Sequence, residues 1–248
     1  MKRAFLFHRG LLAVLALTVF CLPSLAQQGN LRTILFIRVK LDQEDNWKAS
    51  VKDYGALVKK AASEQAYTVW ESQTGPHMWA VVWYSSTFKQ IGQDNPKLKD
   101  SAADLKGLFA RLNGQTDSLE YWIDEMQPEF AIRSQVIPAF VRTARVRVLP
   151  GKMEEMRALF RDQIVPAVKK SGATDYGVAI ARFGTPTNEF HSYLGVSGWA
   201  DLDGALGAEK GMSASEWKAF QAKAGTVIES TQWDLWKYLS ELSYQTPQ

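Results

Sequence analysis

Leu35-Phe36-Ile37-Arg38-Val39-Lys40 and Thr143-Ala144-Arg145-Val146-Arg147-Val148 are the two stretches on which the fold turns. Each alternates apolar and basic residues with a period of two, the pattern of a half-buried strand. Leu35, Ile37 and Val39 share one face, as do Ala144, Val146 and Val148, while Arg38, Lys40, Arg145 and Arg147 take the opposite faces. Working outward, the blocks Leu31 to Met126 and Ala139 to Leu239 each read strand, helix, strand, strand, helix, strand. Further landmarks recur in order: Lys59-Lys60 and Lys169-Lys170, Tyr67 and Tyr176, Gly75 and Gly184, Trp122 and Trp233. Such recurrence sets the architecture before any single residue is read.

The helices after the first strands carry apolar residues three and four apart, Trp47, Val51, Tyr54 and Val58 in one and Met153, Met156, Phe160 and Ile164 in the other. Pro166 should bend or shorten the second of them, which Ser171-Gly172 ends. Hairpins turning at Gly75-Pro76 and Gly184 to Asn188 come next, followed by helices over Leu98 to Leu112 and Ala214 to Ile228. Ser213 and Glu216 stand at the spacing of a capping box. The expected organisation is a first repeat over 27–127, a connection over 128–138 and a second repeat over 139–248. The expected class is α+β: two ferredoxin-like βαββαβ units whose antiparallel sheets bury one face against each other, closing a barrel with the helices outside.

The first 26 residues stand apart. Met1-Lys2-Arg3 is basic, Leu11 to Leu22 is a short apolar run, and Ser24-Leu25-Ala26 offers small residues for cleavage, which together describe a secretory signal peptide. The expected mature chain begins at Gln27, is exported to the periplasm or beyond, and keeps no membrane span, the apolar run being too short for one. Lys2, Arg3 and Arg9 account for the whole net charge of +3, so the mature chain is nominally neutral and no nucleic-acid partner is expected. The one cysteine, Cys21, also leaves, taking with it any disulfide or thiol nucleophile.

Val148-Leu149-Pro150-Gly151-Lys152-Met153-Glu154-Glu155-Met156 and Ile164-Val165-Pro166-Ala167-Val168-Lys169-Lys170-Ser171-Gly172 resemble the strand-to-helix turn and the helix end of the dimeric α+β barrel superfamily, which includes antibiotic-biosynthesis monooxygenase-like, NIPSNAP-like and EthD-like domains. The first half departs from that pattern, since Leu41 to Asp45 lacks the Pro-Gly turn. The resemblance implies a barrel enclosing a small-molecule site and brings cofactor-independent oxygenases and haem-handling enzymes into view. The Asn, Trp and His constellation of the haem-degrading members has no counterpart here. Glycine-rich phosphate loops, metalloprotease helices and serine elbows are also missing from the sequence.

Of three histidines, His77 and His191 lie beyond the leader. Both open a strand two residues before an aromatic, Trp79 or Tyr193. Alternation then places His77, Trp79, Val81 and Trp83 on one face, and His191, Tyr193 and Gly195 on the corresponding one. If those faces look inward, either histidine could bind the polar end of a ligand, transfer protons or ligate haem iron; rim histidines bonded to hairpin backbone are the plainer reading. Two histidines fall short of a zinc site, so no metal is expected and no cofactor is required. Arg145 and Arg147 face the barrel, with Arg182 on a neighbouring strand, and need either acidic partners such as Glu71, Glu120 and Asp124 or an anionic ligand.

Three functions follow from these residues. The first is an exported barrel binding a small aromatic or anionic molecule, with Trp79, Trp83, Arg145, Arg147, Arg182 and Tyr193 as its expected contacts. The second is a monooxygenase-like or haem-related enzyme using His77 or His191. The third is a packed structural barrel whose outer helices bind a partner; a second copy of the chain is also a candidate partner.

Overall fold

The computed structural model describes residues 30–246 apart from Asp94 and Gln135. The expected signal peptide, residues 1–26, lies outside the described residues. Eight strands form one closed antiparallel barrel: β1 (Leu31–Val39), β2 (Thr68–Ser72), β3 (Trp79–Ser85), β4 (Thr116–Met126), β5 (Phe140–Val148), β6 (Tyr176–Phe183), β7 (Glu189–Val196) and β8 (Ile228–Tyr238). Around the ring the order is β1-β3-β2-β8-β5-β7-β6-β4. The first half contributes β4-β1-β3-β2 and the second β8-β5-β7-β6, the same ferredoxin-like order twice, joined at the β4·β6 and β2·β8 seams.

Four main helices lie outside: α1 (Glu44–Lys60), α2 (Ala102–Gln115), α3 and α4 (Ala214–Ala224). α3 runs through Met153–Leu159, a wide π turn at Phe160–Ile164, and Val165–Lys170. Pro166 therefore does not end the helix. The π turn just before it relaxes the contact between the proline ring and the preceding turn, and it absorbs the one residue by which α3 exceeds α1. Ser213 and Glu216 form the expected capping box, but α4 stops at Ala224 and β8 begins at Ile228, earlier than the sequence suggests. No helix among the described residues is long and apolar enough to cross a membrane.

The apolar strand faces meet the helices in two cores. Ile37, Val39 and Val69 pack with Trp47, Val51 and Val58 of α1. Val146, Val148, Val178 and Phe190 pack with Met156, Leu159 and Phe220. A smaller cluster of Ile34, Ala80, Trp122 and Trp236 lies inside the barrel.

Strand ends and bulges fix how the halves correspond. β1 matches β5 from end to end, each with a register shift just before its last residue, and β4 matches β8. Gly75 and Gly184 both turn their hairpins at positive φ, 70° and 89°, as glycine allows. By this register Arg38 corresponds to Arg147, and Phe36 to Arg145. Ala80 corresponds to His191, and Val82 to Tyr193.

The register corrects three sequence readings. Ile37 pairs with Trp79, and paired residues share a face, so Trp79, Val81 and Trp83 face the helices; Met78, Ala80, Val82 and Tyr84 look into the barrel. Aligning His77 with His191 slips β3 by an odd number of residues, which turns every side chain to the wrong face. The Trp122 and Trp233 landmark fails for the same reason: Trp122 lies inside, whereas Trp233 is outside beneath Arg142, 4.3 Å from the guanidinium carbon to the ring centre.

Candidate functional site

A cavity of ≈ 1570 Å³ opens from inside the barrel and runs out past its rim to Glu64, Gln90 and Lys97. One wall is apolar, built from Phe36, Trp70, Ala80, Val141 and Trp236. The facing wall carries Arg32, Arg145, His191 and Tyr193, with Trp122 between the two. Phe36 contacts both Trp122 and Trp236, with ring centres 4.6 and 5.6 Å apart. The indole N–H groups of Trp70 and Trp236 donate to Thr68 Oγ1 and Thr143 Oγ1, so these rings present an apolar body with a satisfied polar edge.

The polar wall is a chain of alternating charge. Arg32 donates to Asp124 Oδ2 through Nη2 at 2.7 Å; the other oxygen of Asp124 lies 2.9 Å from His191 Nδ1. His191 Nε2 is 3.3 Å from Glu189 Oε2, and Glu189 Oε1 accepts from Arg147 at 2.8 Å. Arg32, Asp124, Glu189 and His191 are all buried. Burial opposes charge at His191, yet its hydrogen bonds to Asp124 and Glu189 prevail and its pKa rises. Burial likewise works against both carboxylates, but Arg32 and His191 hold Asp124 below its usual value, and His191 and Arg147 bring Glu189 down to about 2. Both imidazole nitrogens thus face carboxylates, an arrangement that favours the charged ring.

Small residues on β6 make this chain possible. Gly177 pairs with Tyr193 and Ala179 with His191, while Ala181 lies beside Asp124. A Cβ at Gly177 would come 2.4 Å from the Tyr193 ring. With β6 stripped to glycine and alanine, the β7 side chains reach across it to β4.

Arg145 differs from Arg32 and Arg147, its neighbours in this wall. Its closest carboxylate oxygen, Glu189 Oε1, is 3.7 Å away, and its Nε is buried with no partner among the described residues. Its guanidinium carbon lies 4.8 Å from the centre of the Trp122 ring, which itself lies tilted against His191 with ring centres 5.2 Å apart. A cation with unused donors, seated on an aromatic face and open to a cavity, is equipped to hold an anion.

The expected site residues divide accordingly. Arg145, His191 and Tyr193 come together at the cavity, and Arg147 supports them through Glu189. Trp79 and Trp83 belong to the core beneath α1. His77 is exposed on the rim, 3.3 Å from Glu71. Arg182 is on the outside of the β4·β6 seam, paired with Glu125. Of the acidic partners expected for the basic strand faces, Asp124 does serve, for Arg32, but Glu189 takes the role at Arg145 and Arg147. Sequence reading missed Glu189 and Arg32. The cross-strand pairing Arg147↔Glu189 was the available signal, since it places opposite charges side by side.

Two cofactor readings can be tested on these residues. A histidine-ligated haem does not fit, because both His191 nitrogens are engaged by carboxylates and His77 lies outside the cavity. Glu44, Glu71 and His77 bring ligand atoms within 4.8 Å of one another on the rim, but Lys48 Nζ, 2.6 Å from Glu44, already supplies a positive charge there.

No protein-family model matches the chain, and no curated protein matches it. Solved structures do share its architecture. A monooxygenase candidate from Fusobacterium nucleatum superposes with a TM-score of 0.59 at 14% identity, covering 85% of this chain and 92% of that one. The shared fold is the dimeric-α+β-barrel arrangement, two ferredoxin-like repeats closed into one ring. An anthrone oxidase-like protein (TM-score 0.54, 12% identity, 86% and 93% covered) and a chlorite dismutase variant from Candidatus Nitrospira defluvii (0.51, 10%, 88% and 94%) have the same dimeric α+β barrel. At these identities the likeness concerns the fold alone.

Proposed function

We propose that the barrel binds a small aromatic anion, its ring system against Phe36, Trp122 and Trp236 and its charge on Arg145. The supporting observation is Arg145 itself, a guanidinium with unused donors at the edge of an aromatic cavity. An eight-stranded barrel is wide enough to hold one small ligand, and a few polar groups set in an apolar lining are what such sites need for orientation. The leader sequence supports an exported protein, so the ligand would be met outside the cytoplasm.

Tryptophan quenching by 2-naphthoate, compared with the neutral 2-naphthalenemethanol, tests this. The carboxylate is expected to bind more tightly by about tenfold, the worth of one charge-assisted hydrogen bond. Arg145→Ala should abolish that preference, and Ala80→Tyr should block both compounds by filling the apolar wall. Equal affinities in the wild type, or an unchanged preference in Arg145→Ala, would overturn the assignment.

Turnover in the same cavity is the second reading. The fold is shared with a monooxygenase candidate and an anthrone oxidase-like protein, and the cavity holds an acidic group, Asp175, that makes no ion pair among the described residues.

A further inference from the structure

Asp175 stands one residue before β6, on the barrel-facing side of the alternation that continues through Gly177 and Ala179. Its backbone carbonyl accepts from Gly195 N at 2.9 Å, which fixes the chain there. Gly195 permits the close approach, because a Cβ at that position would come 3.0 Å from Asp175 Cβ. The Ser134 backbone favours the charged carboxylate, which makes no ion pair among the described residues. Burial pushes its pKa up to about 6. Tyr84 on β3 and Tyr193 on β7 line the same end of the cavity, and burial raises both phenols, so they remain O–H donors at neutral pH. The other charged groups facing this cluster are Arg32 on β1, whose guanidinium carbon is 5.8 Å from the Tyr193 ring centre, Asp124 on β4, and Arg133 on the segment between β4 and β5.

A carboxylate and two neutral phenols around one cavity end are the parts needed to move a proton beside a carbonyl. We propose that Asp175, Tyr84 and Tyr193 form a proton-transfer site for an aromatic keto acid, with Asp175 as general base. Asp175 takes a proton from the carbon next to the ketone, and the C–H electron pair becomes the C=C bond. The carbonyl oxygen takes up the negative charge as an enolate and is held by the two phenolic O–H groups. Return of the proton to carbon restores the ketone and its delivery to oxygen yields the enol, so the step is a tautomerisation that consumes no other reactant. The proposal rests on the aromatic-anion reading above and names the substrate class for that site. His191 takes no part, since both its nitrogens are occupied.

Phenylpyruvate, which combines an aromatic ring, a carboxylate and an acidic methylene, is the probe. Deuterium exchange at its methylene, followed by proton NMR, should be accelerated at least about a hundredfold over buffer, the usual lower range for a positioned base. The enzymatic rate should rise with pH through about 6, as Asp175 ionises. Asp175→Asn should return exchange to the buffer rate while quenching by phenylpyruvate is unchanged, and Tyr193→Phe should slow exchange more than it weakens binding. A pKa raised on folding costs stability once the group ionises, so Asp175→Asn should also melt higher than the wild type at pH 7, which separates loss of the base from loss of the fold. Binding without accelerated exchange, or exchange retained in Asp175→Asn, would overturn the proton-transfer site and leave the binding site standing. Absence of phenylpyruvate quenching would overturn both.

Discussion

His191 and Ala80 occupy corresponding positions on β7 and β3, and the walls around them differ in kind. Beside His191 stands Ala179; beside Ala80 stands Trp70, the residue corresponding to Ala179. The bulk has moved from one strand of the pair to its neighbour. Asp124, Glu189 and Arg145 around the histidine are matched by Trp236, Met78 and Phe36 around the alanine. The same strand order thus carries a charged wall in one place and an apolar wall in the corresponding place. Either wall repeated twice would lose something: two charged walls would lack the aromatic surface, and two apolar walls would lack a reason to select an anion.

The largest test of this difference removes a charge from the polar wall. Asp124→Ala leaves Arg32 and His191 buried without their shared carboxylate and should cost about 3–5 kcal/mol in urea denaturation, the range for breaking a buried ion pair. A cost below about 1 kcal/mol would mean that the chain of charges is solvated and the contrast between the walls is overstated.

A smaller effect is expected from pH. Asp124 and Glu189 have lowered pKa values in the fold, so their contribution is present above the unfolded values near 3.8 and 4.5 and is lost as pH falls through the folded ones, about 2 for Glu189. His191 has a raised pKa, so its contribution is complete below 6.5 and is lost as pH rises through the higher folded value. Stability from this wall should therefore be greatest between about pH 4.5 and 6.5. His191→Gln should remove the decline attributable to this residue on the alkaline side, measured as melting temperature against pH. A decline of the same size in the variant would assign it to other groups.

The smallest effects belong to the residues that the register leaves outside. His77→Ala and Arg182→Ala should each change stability by no more than about 1 kcal/mol, as expected of exposed groups, and leave 2-naphthoate binding unchanged. Weakened binding in either would place a working part of the site on the rim.

The strand and helix order was legible because it depends on periodicity, which survives errors of one or two residues. The likeness of Arg38-Val39-Lys40 to Arg145-Val146-Arg147 lies two positions from the structural register, and an even slip of that kind keeps each side chain on its proper face, so Arg145 faces the barrel in either alignment. Matching His77 to His191 and Trp122 to Trp233 involves odd slips, so Trp79 and Trp83 are read on the wrong face and Trp233 is not the counterpart of Trp122. Glu189 was hidden for another reason: beside the turn residues Thr187 and Asn188 it reads as solvent-facing, and only its pairing with Arg147 turns it inward. Asp175 carries no motif at all; that it makes no ion pair among the described residues is a property of three-dimensional placement.

Ring closure has a consequence of another sort. An open sheet ends in strands whose unpaired amides and carbonyls can recruit the backbone of a neighbouring molecule, and proteins guard such edges with charges, prolines or bulges. Here β2 and β8, and β4 and β6, take up one another's edges, so each described strand has a neighbour on both sides. A chain built in this way resists edge-to-edge aggregation by geometry, leaving the residues along its strands free to serve the cavity.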